Sequence, residues 1–356
     1  MGVLFGLVFL TSSQAVAVSP VDVLAEQHKF SIASWEMANL PDKWIHKLFG
    51  NQDDLSSRAR LKEAQQFFAF SDTRGADDKA VVEEIIEDAV AQTLLSEGLG
   101  EFPPVDVSFS PPPKLLVLSP RHKIERTFDM LLSPSIINSE REDLEQLILS
   151  RENQSAIVEN TGGLAVYPSI VTDRAGLYNA FIITAHEWIH QWLFFKPLGR
   201  AFWDNNNMNT LNETVAEVAG KEIGRKAYGT FVFSKEMPIE TSKKEIREFD
   251  FRSEMRITRE HTEKLLAEDD INGAETYMEQ RRRIFVAEGY PIRKLNQAYF
   301  AFHGTYGTSG ASISPIGPLV EELRKCSASI EQFLNIASRF SDYEEFVTFV
   351  TGQRCS

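Results

Sequence analysis

Two histidines four residues apart, His186 and His190, with Glu187 beside the first, form the stretch of this chain best suited to chemistry. On an α-helix, positions i and i+4 share one face. Both imidazoles can then hold a single Zn²⁺ ion while the neighbouring carboxylate faces the same space and polarises a metal-bound water. The flanks, residues 179–185 and 191–195, are almost continuously apolar and describe a buried helix. Two histidines and a glutamate are costly in such a helix unless they share a partner. The alternative is a pair of core histidines satisfied by backbone carbonyls.

A catalytic zinc takes a third protein ligand and keeps one position open. Glu213, in the segment Thr210-Leu211-Asn212-Glu213-Thr214-Val215-Ala216-Glu217, follows His190 by 23 residues, enough for a loop and a returning helix. Glu217, one turn further on, shares its face and is placed to accept the free ring N–H of a zinc-bound histidine, fixing its tautomer. Leu211, Val215, Val218 and Ala219 would pack this helix against the first. The competing reading of Glu213 and Glu217 is a solvated helix face.

His-Glu-Trp-Ile-His followed by Leu-Asn-Glu-x-x-Ala-Glu resembles the gluzincin clan of zinc metallopeptidases, which includes thermolysin and the alanyl-type aminopeptidases. The resemblance spans roughly residues 155–225. It implies His186, His190 and Glu213 as ligands of one zinc ion, Glu187 as general base and Glu217 in the outer shell. No Gly-x-x-His follows His190, which argues against the metzincin branch. Members of the clan bind extended substrate beside an edge strand. Residues 155–159, the turn Asn160-Thr161-Gly162-Gly163 and residues 164–168 read as a hairpin that would supply one, with Glu159, Gly163 and Ala165 as candidate substrate contacts. Pro168 closes the second strand and suits an edge. Glu159-Asn160 echo the end of the Gly-Ala-Met-Glu-Asn segment with which the clan's aminopeptidases bind a free amine, but the Gly-Ala-Met is absent.

Amide hydrolysis also needs a hydrogen-bond donor for the tetrahedral oxyanion. Residues 298–310 carry Tyr299, His303 and Tyr306 at the junction of an aromatic helix and a glycine-rich loop. Tyr306 is the first candidate and His303 the next. The competing reading is that these aromatics pack a C-terminal core.

The elements that must position these groups read as an α+β fold, mostly helical: a zincin-like catalytic core, with a small sheet packed on the active-site helix, and a helical C-terminal lobe. Helical periodicity covers residues 21–49, 55–70 and 77–95; strands are expected at 114–119 and 124–132, and a helix at 139–151. Charged helices fill 243–289, broken at Asn272-Gly273. The expected divisions are 1–19, a signal peptide or membrane anchor; 20–100, an N-terminal helical region; 101–227, the catalytic core; and 228–356, the C-terminal lobe. Residues 1–19 carry no charge and end near Ala15-Val16-Ala17, a pattern like a signal-peptidase site. An extracytoplasmic protein, secreted or tethered at its N-terminus, is therefore expected.

A net charge of −14 excludes nucleic acid as a partner held by electrostatics. Cys326 and Cys355 could close a clip on the C-terminal tail in an oxidising compartment, or remain thiols in a reducing one. Asn212-Glu213-Thr214 matches a glycosylation sequon, yet its place in the metal motif precludes a sugar. The functional expectation is a zinc metallopeptidase acting on a peptide or protein substrate. The alternatives are a catalytically silent zincin scaffold and a zinc hydrolase acting on a non-peptide substrate.

Overall fold

Ser19 caps a helix: its hydroxyl accepts from the Val21 amide, and Asp22 accepts from the Ser19 amide. The structure, a computed structural model, describes residues 19–38, 57–69, 76–100, 102–233 and 249–352. The helix capped by Ser19 is α1 (Pro20–Ala25). The unbroken helix expected over 21–49 is not formed. The main chain leaves the helix to bridge Lys29 to Leu132, and the Phe30 amide donates to Leu131 O. Trp44, Ile45 and Leu48 lie outside the described residues.

Two helices follow, α2 (Ser57–Ala69) and α3 (Ala76–Ser96). Then come β1 (Val107–Phe109), β2 (Lys114–Pro120), β3 (Phe128–Leu132), α4 (Asn138–Glu152), β4 (Gln154–Asn160), β5 (Gly163–Leu164) and β6 (Ser169–Val171). The remainder is helical: α5 (Gly176–Phe194), α6 (Pro197–Arg200), α7 (Asn206–Phe233), α8 (Phe251–Ala267), α9 (Ile271–Ala287), α10 (Gln297–His303), α11 (Ile316–Cys326), α12 (Ile330–Ala337) and α13 (Tyr343–Gly352). The architecture is α+β and mostly helical, as expected.

The strands form two small sheets rather than one. The first is antiparallel, in the order β3-β2-β4; in the second, ordered β1-β6-β5, β1 runs parallel to β6 and β5 antiparallel to it. The hairpin expected over 155–168 is therefore corrected. β4 pairs along its whole length with β2, from Lys114↔Asn160 to Pro120↔Gln154, and stands at the end of that sheet rather than beside β5. Thr161 then donates its hydroxyl to Pro113 O, turning the chain away, and the two residues of β5 pair with β6 instead. Pro168, without an N–H to offer a ladder, lies in the loop between β5 and β6. The strand expected from 124 begins only at Phe128. β1, within the proline-rich residues 102–113, was not anticipated. Its Val107 and Phe109 amides, which face away from β6, donate to Glu87 and Glu83 of α3.

Both faces of the first sheet are covered. Leu116, Leu118, Ala156 and Val158 face a core shared with α1 and α4, while Val117 and Ile157 face α8, α9 and α10, the alternation that a strand's two-residue repeat requires. The largest core joins α3, α5, α7 and the C-terminal helices. The break in the charged helices falls at 268–270 rather than at Asn272-Gly273, because Asp270 caps α9 by accepting from the Gly273 amide.

Among the described residues no helix is long and apolar enough to cross a membrane. The expected signal or anchor falls outside them, apart from Ser19. Cys326 is disulfide-bonded, and Cys355 lies outside the described residues.

Candidate metal centre

The helix α5 is buried on several sides through Phe181, Ala185, Trp188, Ile189 and Trp192, as its apolar sequence demands. Trp188 donates its indole N–H to Pro103 O at 2.7 Å, and Gln191 donates to Val166 O and to Ser169 Oγ at 2.9 Å. These bonds fix the rotation of α5 and fasten the β5–β6 connection to it.

The helix α7 crosses α5 closely because two of its residues have no side chain. A Cβ on Gly220 would stand 2.8 Å from His186 Cα, and one on Gly224 2.5 Å from Ile182 Cα, both inside van der Waals contact. Glycine in a helix interior costs about 1 kcal/mol against alanine. Here the notch lets the helix backbones approach and brings Glu213 over the two imidazoles.

The result is a three-atom cluster. His186 Nε2 and His190 Nε2 lie 3.0 Å apart, and Glu213 Oε2 lies 3.7 Å from the first and 3.5 Å from the second. Tetrahedral ligands at zinc bond lengths stand about 3.3 Å from one another, so the spacing fits one ion. Glu213 Oε2 is buried without a hydrogen-bond partner, an arrangement that an ion between the three atoms would satisfy. These side chains could hold a metal ion.

Asn212 supplies the support that the sequence reading gave to Glu217. Its Oδ1 lies 2.9 Å from His190 Nδ1, and its amide nitrogen points at Leu198 O, so the oxygen is left for the ring. With Nδ1–H donating, the neutral ring, the form that could bind a metal ion, turns its Nε2 lone pair toward Glu213 and His186. Asn212 is itself buried, which agrees with the exclusion of a sugar there. The Glu217 carboxylate instead accepts from Lys221 Nζ at 2.5 Å and from Thr308 Oγ1 at 2.6 Å.

Electrostatics ties the three groups together. Burial pulls His190 down, but the Glu213 carboxylate and the Asn212 hydrogen bond more than reverse this and raise it to about 9. Burial opposes ionisation of Glu213, and the two imidazoles overcome it, holding its carboxyl well below the usual carboxylate range. Glu187 is raised by burial, an effect only partly offset by the same imidazoles. A raised carboxyl is a better proton acceptor at neutral pH.

Glu187 points to the edge of the second sheet. A Cβ on Gly163 would meet Glu187 Oε1 at 2.6 Å, so the strand passes against the carboxylate only because residue 163 is glycine. β5 is the terminal strand of its sheet, and half-buried Ala165 follows it directly. Gly163 thus borders the Glu187 carboxylate, although not as part of the expected hairpin. Glu159 belongs to the other sheet. It faces His303, with Oε1 3.9 Å from Nε2, and the Tyr299 ring lies tilted against His303 with centroids 4.2 Å apart.

Tyr306 is brought to the metal cluster by its neighbours. The Gly307 amide donates to Thr214 Oγ1 at 2.9 Å and the Thr308 hydroxyl to Glu217, so the loop is bound to α7 at the residue after Glu213 and again one turn beyond it. Burial together with the charges of Glu213 and Glu187 raises the Tyr306 phenol well above its ordinary value, which keeps its proton in place as a donor. Arg126, between β2 and β3, was not anticipated. Asp129 grips its guanidinium through Nε and Nη2 at 2.6 and 2.8 Å, and it lies 6.0 Å from the Phe302 ring.

Asn212, Gln191, Arg126 and the Gly220–Gly224 notch escaped the sequence reading. The notch alone left a sequence signal: two glycines four apart inside an otherwise strong helix. Comparison with family models, with curated proteins and with solved structures gives no match.

Proposed function

We propose that this chain is a single-zinc metallopeptidase with a zincin-like core, cleaving peptide bonds of a peptide or protein substrate. The observation that carries the reading is the convergence of His186 Nε2, His190 Nε2 and Glu213 Oε2, with the Glu187 carboxylate between that cluster and an open strand edge. A zinc ion held there supplies Lewis acidity toward water and toward the scissile carbonyl.

The chain's own groups do the rest. An extended substrate adds to the free edge of β5 through main-chain hydrogen bonds, which sets its carbonyl over the cluster without regard to side-chain identity. Glu187, raised by burial, takes a proton from the attacking water and returns it to the leaving amine. Tyr306 donates its retained hydroxyl proton to the developing oxyanion. Asn212 holds His190 in the tautomer whose Nε2 is free to ligate.

The test is zinc content together with turnover. Purified protein is expected to carry one zinc per chain, to lose it in His190→Ala and Glu213→Ala, and to keep it in Glu187→Gln while hydrolysis of a fluorescent casein digest falls by about 10²–10⁴-fold. Zinc absent from the wild-type protein, or full turnover in Glu187→Gln, would overturn the reading.

A further inference from the structure

Arg126 is a cation beside the site that the proposed chemistry leaves unused. Its side chain is only 14% exposed. Asp129 takes one edge of the guanidinium, Nε with Nη2, leaving the opposite edge, Nη1 with the second Nη2 hydrogen, without a hydrogen bond among the described residues. Nη1 is not sealed in the interior. The Phe302 ring fixes one face of the group, and the edge of that ring meets the Tyr306 ring with centroids 6.0 Å apart. The charge is felt at both Tyr306 and Glu213, which puts the guanidinium in the neighbourhood of the metal cluster.

An ion pair buried for stability alone is replaceable by apolar residues at little cost. A guanidinium already gripped on one edge, with its planar orientation set and a second bidentate edge vacant, is preorganised to receive another carboxylate. The net charge of −14 repels anions from the molecule as a whole, so recognition of one has to come from such a local group. We propose that Arg126 is a specificity-determining residue whose free guanidinium edge binds a substrate carboxylate close to the scissile bond. The substrates are then peptides bearing an acidic side chain or a free C-terminus at that position. The inference rests on the metallopeptidase reading, and a binding measurement without turnover separates the two.

The experiment uses the full chain as zinc-loaded Glu187→Gln and three probes with one backbone: N-acetyl-Phe-Gly-Gln-amide, the same peptide ending in Glu-amide, and the first peptide as its free acid. Charge-assisted bidentate hydrogen bonds predict that at least one carboxylate probe binds about 10–100-fold more tightly than the neutral one in calorimetric titration. Which of the two gains tells a side-chain carboxylate from a terminal one. Adding Arg126→Met should reduce the preference to less than about twofold, and Arg126→Lys, which keeps the charge without the fork, should leave it intermediate. Equal binding of all three probes to the parent, or an undiminished preference in Arg126→Met, would overturn the proposal. If Arg126→Met does not fold, an undiminished preference in Arg126→Lys does so. A carboxylate preference that depends on Arg126, in a protein whose wild-type form cleaves no peptide, would instead defeat the metallopeptidase reading and leave this site standing.

Discussion

His190 Nδ1 and Asn212 Oδ1 lie 2.9 Å apart, so the residue that precedes one proposed metal ligand in sequence orients another from the facing helix. In the proposed site Glu213 and its neighbour act together, one as a ligand and one through the ring of His190. Replacing Asn212 by alanine removes the acceptor and frees the imidazole to rotate. Zinc affinity is expected to fall about 10–100-fold, the usual effect of losing such a partner. Asn212→Asp, which keeps an oxygen at the same place, should retain most of it. Competition with a chelator of known affinity reads both.

The Gly220 notch makes an opposite prediction to helix propensity. Alanine at this position would gain about 1 kcal/mol in an isolated helix. Its Cβ would stand 2.8 Å from His186 Cα, a backbone atom that no rotamer change can move aside. Overpacking of this kind costs about 1–3 kcal/mol. Gly220→Ala is accordingly expected to lower stability in urea unfolding and, by separating α5 from α7, to weaken zinc binding as well. A stabilised variant with unaltered zinc affinity would show that the helices do not need the notch.

Much of this site was legible in the sequence because its geometry is local. His186, Glu187 and His190 take their relation from one helix turn, and Glu213 from the length of one helical hairpin, so helix spacing together with the gluzincin resemblance implied the cluster. The helical class followed equally from periodicity. Strand pairing did not: β4 and β5 are three residues apart, and nothing local shows that β4 is already taken by β2 over its full length. Asn212 and Arg126 were illegible for a related reason. Each is an ordinary polar residue until the fold sets it against His190 or Phe302.

In the proposed site a metal ion and protons would compete for His190. In metal-free protein this group is raised from 6.5 to about 9, chiefly by Glu213 acting against burial. A raised folded-state value means stability that is fully present below the unfolded value and is lost as pH rises through the folded one. Thermal unfolding of chelator-treated protein should therefore show a melting temperature that falls between about pH 6.5 and 9. His190→Ala should flatten that decline. Zinc binding near pH 7.5 should release close to one proton, measurable by titration in buffers of different ionisation enthalpy.

Tyr306 and Thr214 give a prediction that separates chemistry from binding. If the Tyr306 hydroxyl serves the oxyanion, Tyr306→Phe should lower kcat by about 10²–10³-fold, the loss typical of one such donor, with KM little changed. Thr214 touches no substrate in this scheme. It holds the loop through the Gly307 amide, 2.9 Å from its hydroxyl. Thr214→Val leaves a similar volume but removes that acceptor, so the loop can drift and kcat should fall by a smaller factor in the same direction. In the double variant the two losses should fail to add, because a loop out of place cannot forfeit a hydroxyl it no longer presents. Additive losses would mean that Thr214 acts on the site by some route other than Tyr306. Zinc content, unaltered in all three proteins, serves as the control that the cluster of His186, His190 and Glu213 is intact.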